Sequence, residues 1–189
     1  MKRIILFVAL LSFGATAQAT LIRATANLDY GQEVNPSNTD PSNARGFARL
    51  VFDTVENTVA IRARIRGISV SDITFPGGPL QFGVAGPFHI HLAAKGANGP
   101  VVVPFNLESF FRDTRRGLAV RALVGFNPAL LDSLLAGDLY LNLHTLDYGS
   151  GEIRGQISAQ VPEPSTLGLL ALAGVGLIVM RRKVTSQSH

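Results

Sequence analysis

Three histidines are the side chains best suited to chemistry. His89 and His91 stand two residues apart in Phe88–Ala93, a stretch that reads as a strand, and side chains two apart on a strand share a face. His144 closes another strand candidate, Leu139–His144. If the two strands are neighbours, three imidazoles converge. Neutral imidazole suits zinc, copper or nickel, and three histidine ligands plus a water would resemble an open zinc site. The same residues serve a structural network, bonding to backbone or to Asn142, Thr145 and Glu152. That network is the default expectation, because no fourth protein ligand is evident and a three-ligand site needs supporting groups around it. Glu152 and Arg154, also two apart, read as a structural ion pair. Asp29 and Glu33, or Asp147 and Glu152, are too loosely placed for acid–base catalysis. No Gly-x-Ser-x-Gly elbow or phosphate loop occurs, so no residue is assigned a catalytic role and the chain reads more as a non-enzyme than as an enzyme.

The elements that must position these side chains are strands. Thr58 to Arg66 alternates: Val59, Ile61, Ala63 and Ile65 point one way, Ala60, Arg62, Arg64 and Arg66 the other. This period puts the first set on a core and the arginines on a solvated face. Gly46–Asp53 is its partner across a turn at Val55-Glu56-Asn57. Further candidates are Arg23–Tyr30, Ile68–Ile73, Val101–Pro104, Leu118–Val124 and Ile153–Gln160. Asn35–Asn43 and Pro76–Pro79 are turn-rich loops. One short helix is expected, with Asn127 as cap, Pro128 at its first position and Gly137 at its end. Many short strands with turns between them predict an all-β fold, an antiparallel sandwich.

Both termini read as addresses. Lys2 and Arg3 precede the apolar Ile4–Phe13, and Ala17-Gln18-Ala19 fits a signal-peptidase site. Residues 1–19 are thus a signal peptide for the export translocon, with Ala15-Thr16-Ala17 an alternative cleavage site. At the other end Pro162-Glu163-Pro164 precedes the uncharged Leu167–Met180, which Arg181, Arg182 and Lys183 close. An apolar run ended by a basic cluster is a membrane stop, here shorter than the roughly 20 residues of a comfortable span. Removing Lys2, Arg3, Arg181, Arg182 and Lys183 from 17 basic residues, and Glu163 from 13 acidic ones, leaves 12 of each. The part between the addresses, 20–161, is formally neutral, so the basic whole-chain balance gives no support to nucleic-acid binding. With no cysteine, this single domain must rest on its core alone.

The tail, residues 162–183, resembles the PEP-CTERM sorting signal of Gram-negative bacteria in the order Pro-Glu-Pro, hydrophobic helix (167–180), basic cluster (181–183). The resemblance implies recognition by exosortase, transient inner-membrane anchoring through that helix, and delivery to the cell envelope, outer surface or matrix. Three further clusters resemble the CHRD (chordin-like) domain. They are Leu28–Val34 with Gly46-Phe47-Ala48; His89-Ile90-His91 with Gly99–Val102; and Leu139–Thr145 with Gly151-Glu152-Ile153-Arg154-Gly155-Gln156. This resemblance runs from about residue 23 to 158. It implies a Greek-key-like β-sandwich akin to that of copper–zinc superoxide dismutase, but no known reaction; those enzymes use more histidines and a zinc loop with an Asp. The fold expected is therefore all-β, with one short helix, flanked by an N-terminal signal helix and the C-terminal hydrophobic helix. The function expected is structural or adhesive, associated with exopolysaccharide and without cofactor. The alternative is a surface metal-binding protein or metalloenzyme holding Zn or Cu on His89, His91 and His144.

Overall fold

The computed structural model describes residues 21–74 and 85–160. The two terminal addresses and the Pro76–Pro79 loop lie outside the described residues. Among the described residues ten strands form one antiparallel sheet: β1 (Leu21–Asp29), β2 (Arg45–Asp53), β3 (Thr58–Arg66), β4 (Phe88–Leu92), β5 (Val101–Phe105), β6 (Phe111–Thr114), β7 (Gly117–Gly125), β8 (Leu139–Leu143), β9 (Ile153–Gln156) and β10 (Ser158–Gln160). Their order is β5-β4-β8-β9-β1-β2-β3-β7-β6, with β10 also on β1. Three successive-strand pairs, β3 and β4, β5 and β6, and β7 and β8, lie in opposite halves of this order. The chain is thus Greek-key-like and not a simple meander.

The sheet curls into a half-barrel and brings β5 against β7, so its two halves face each other as sandwich layers do. Period-two alternation drives the curl, because only one face of each strand is apolar. Ala24, Ala26 and Leu28 of β1, Leu50 and Phe52 of β2, and Val59, Ile61 and Ile65 of β3 are all buried. Phe88 and Ile90 of β4, Val103 and Phe105 of β5, and Leu139, Leu141 and Leu143 of β8 join them in one continuous core. Phe88 packs on Phe105, ring centres 5.6 Å apart, and Phe52 meets Phe126 at 4.8 Å.

The expected short helix lies where Asn127, Pro128 and Gly137 place it. The Asn127 side chain accepts from the Ala129 N–H, a 3-10 turn covers Pro128–Leu130, and α2 spans Leu131–Ala136 before Gly137 ends it in the left-handed region (φ 79°). The sequence reading fails in three places. Ile68–Ile73 is not a strand: Val70–Ile73 is the single helical turn α1, because Asp72 reaches back to accept from the Ser69 backbone N–H and so favours a helix start. Phe111–Thr114 forms the short edge strand β6, which its polar Arg112-Asp113 pair conceals. Ile153–Gln160 is two strands, since Ile157 turns its N–H to the Leu139 carbonyl.

Candidate metal centre

On β8 the residues facing away from the core are Tyr140, Asn142 and, one residue past the strand, His144. On β4 they are His89 and His91. Register ties them together: His89 pairs with Asn142 and His91 with Tyr140, while the His144 N–H bonds to the Pro87 carbonyl at 2.8 Å. On the other side of β8, Arg154 of β9 pairs with Asn142 and Gln156 with Tyr140. Alternation alone thus collects a polar layer on the outer face of β4, β8 and β9. Loops cover it: His89 is 3% exposed, His144 8% and Arg154 1%, and His91 is partly buried.

The three histidines expected to converge do so. Their ligand nitrogens lie within 4.8 Å of one another, and His89 Nε2 is 3.0 Å from His144 Nε2. Each ring is held from behind by a backbone carbonyl: His89 Nδ1 on Gly86 at 3.0 Å, His91 Nδ1 on Gly99 at 2.7 Å, His144 Nδ1 on Gly149 at 2.9 Å. A carbonyl only accepts, so each Nδ1 carries its proton and each Nε2 keeps a lone pair. Three lone pairs therefore point into one small space. The His91 Nε2 is buried with no hydrogen-bond partner. Two lone pairs 3.0 Å apart repel unless a cation or a proton lies between them. A proton is disfavoured: burial first, then the neighbouring His144 and His91, hold the His89 pKa down at about 3. Burial also lowers His91 and His144. A metal with bonds of about 2.0–2.1 Å to tetrahedral nitrogens sets them about 3.3 Å apart, close to the His89–His144 spacing. The backbone half of the expected structural network is present; Asn142, Thr145 and Glu152 take other partners.

The surrounding shell was less legible. Glu152 and Arg154, expected to pair with each other, are instead occupied separately. The Glu152 carboxylate accepts from Ser42 and Thr145, each at 2.6 Å. The Arg154 guanidinium lies over the Tyr140 ring, 3.4 Å from its centre, and donates to Asn98 Oδ1 at 3.2 Å. The opposite side of Tyr140 stacks on His91, centres 4.6 Å apart and planes within 1°. Arg154, Tyr140 and His91 form a stack that fixes the His91 ring. Glu33, from the loop after β1, enters the same layer. Burial pushes its carboxyl up to about 7, against the opposing pull of Arg154 and Asn142. The period-two series Tyr140, Asn142, His144 was the available signal for this shell; the approach of Glu33, more than a hundred residues away, had none.

Fold and site define a class: an all-β domain with a buried histidine cluster beneath one sheet face. Residues 24–157 match the CHRD domain, and the chain belongs to that family. Residues 160–183 match the PEP-CTERM protein-sorting motif. The chain is thus an exported protein, directed to the Gram-negative cell envelope and processed by exosortase. No curated protein and no solved structure matches it. No helix among the described residues is long and apolar enough to cross a membrane.

Proposed function

We propose that this is an envelope metal-binding protein whose CHRD domain holds one zinc or copper ion on His89, His91 and His144. The observation that carries the reading is the convergence of three Nε2 lone pairs while each Nδ1 is committed to a carbonyl. A purely structural network gains nothing from facing His89 Nε2 against His144 Nε2 at 3.0 Å, since neither has a proton to share. Three neutral ligands leave the full charge of the ion on the site and a coordination position for water or a small ligand. The signal peptide 1–19 and the tail 162–183 would be removed during export, placing the domain at the outer surface or in the matrix. There the site would sequester metal or serve a reaction at the open position.

The test is metal analysis of the full chain, purified without a polyhistidine tag, beside His89→Ala/His91→Ala and His144→Ala variants. About one zinc or copper per chain, lost in the folded variants, supports the reading. Equal, low metal in all three after incubation with either ion overturns it. Intact mass of the envelope-fraction protein addresses sorting separately: a C-terminus near Pro162–Thr166 is expected, and a full-length tail retained in the inner membrane would contradict processing.

A further inference from the structure

The arginines form a second feature, remote from the histidines. The segment 20–161 is formally neutral, yet ten of its 12 cationic residues lie on β1, β2, β3, β6, β7 or the β6–β7 turn, leaving only Lys95 and Arg154 elsewhere. β3 and β7 hold no acidic residue, and the only one in β2 is its last, Asp53. Register makes the concentration sharper. Arg49, Arg62 and Arg121 stand directly opposite one another across three strands, and Arg45 opposes Arg66. All five are exposed. Like charges placed directly opposite destabilise a sheet, so folding alone does not account for the arrangement.

Where β2 begins and β3 ends, the face opens into a cleft of about 910 Å³, in which seven of the 16 lining residues are arginine. Its floor is apolar, with Ile65 and Leu118, and Phe110 stands in the wall. The one acid in the cleft, Asp113, accepts from the Val70 N–H at 2.8 Å, which partly occupies its charge. We propose that this cleft and the adjoining arginine face dock an acidic polysaccharide, a polymer carrying closely spaced carboxylates. Neighbouring strands lie about 4.8 Å apart and same-face residues about 6.7 Å apart along a strand. The guanidiniums therefore form a grid that a chain of repeating carboxylates can follow, each contact a planar fork on a planar anion. The concave shape admits one narrow polymer chain and not a flat bilayer. Arg49 covers the exposed Phe47 ring, 5.2 Å from its centre, and so removes a platform on which bases would stack. Export places the face among envelope polymers.

The experiment measures binding of the full chain to polygalacturonate, with its methyl ester as the uncharged counterpart, duplex DNA and phosphatidylserine vesicles as competing anions, and Arg64→Gln/Arg121→Gln as the variant. Polygalacturonate should bind, weaken steeply between about 0.05 and 0.5 M salt as charges are screened, and bind the variant roughly tenfold more weakly. The variant should keep its fold and metal content, with a melting temperature no lower than that of wild type because Arg121 no longer opposes Arg62, which separates this inference from the histidine site. Should it fail to fold, Arg45→Gln/Arg66→Gln makes the same test. Equal binding of the methyl ester, tighter binding of DNA or vesicles, or unchanged affinity in a folded variant overturns the inference.

Discussion

Replacing Glu33 by Gln should change how stability depends on pH. The folded-state pKa of Glu33 is raised from 4.5 to about 7, chiefly by burial. A raised folded pKa means that the native state holds the proton more tightly than the unfolded chain. The resulting stabilisation is fully present below about pH 4.5 and lost as pH rises through 7. A shift of this size corresponds to about 3 kcal/mol. Two unpaired acceptors, Glu33 Oε1 and Asn142 Oδ1, lie buried in the same layer, and a proton on Glu33 supplies a donor there. His89 works the other way. Its folded pKa is depressed to about 3, so its contribution is present above pH 6.5 and is lost as pH falls toward 3. Between pH 6.5 and 4.5 each group changes stability by about 2 kcal/mol in opposite directions. His91 and His144, also lowered, add to the acid loss. Wild type should therefore lose stability only gradually down to pH 4.5, whereas Glu33→Gln should fall steeply from about pH 6.5. The charge of Arg154, which pulls against the raised value, loses its counter-charge at every pH in the variant, so the comparison is of slopes and not of absolute values. Urea unfolding of both metal-free proteins at half-unit steps from pH 4.5 to 8 reads the difference directly. The gap between the two curves should change by about 3 kcal/mol across that range. Parallel curves would show that Glu33 is not held as a buried, proton-retaining carboxyl.

Other outcomes follow from the same geometry. Zinc or copper at 100-fold above its dissociation constant should stabilise wild type by about 2.7 kcal/mol, seen as a clear rise in melting temperature that the folded His144→Ala variant lacks. Gly99→Ala should weaken metal binding about 10–100-fold, because its Cβ would clash with the Leu92 carbonyl oxygen and displace the loop that holds His91. Gly149→Ala, where a Cβ meets nothing within 4 Å, should leave affinity unchanged although Gly149 holds His144 in the same way; isothermal titration compares the pair. Arg62→Gln, relieving repulsion from both Arg49 and Arg121, should raise stability by about 0.5–1 kcal/mol in low salt, with the gain shrinking in calorimetry as salt is added.

The sequence by itself determined most of the strands, the C-terminal sorting motif and the family. Period-two alternation fixes which face of Thr58–Arg66 is buried, because a one-residue slip would invert every side chain, and the observed β3 has those bounds. Asn127, Pro128 and Gly137 carry a helix start and stop in their own backbone preferences, which no distant contact has to supply. The identity of the histidines as a set was legible for the same local reason: alternation puts His89 with His91, and His144 in phase with Tyr140 and Asn142. Only the tertiary structure decided what these residues do together. Register between β4 and β8 set His89 Nε2 against His144 Nε2, and loop carbonyls of Gly86, Gly99 and Gly149 fixed which nitrogen keeps its lone pair. Arg154 left its expected partner Glu152 because β9 lies beside β8, within reach of Tyr140, while Ser42 arrived from a loop 110 residues away. The arginines read as an ordinary solvated face along one strand and became a charged cleft only when four strands were aligned. Charge balance is a sum over the chain, but potential depends on where the charges stand, and that is set by pairing between segments far apart in sequence.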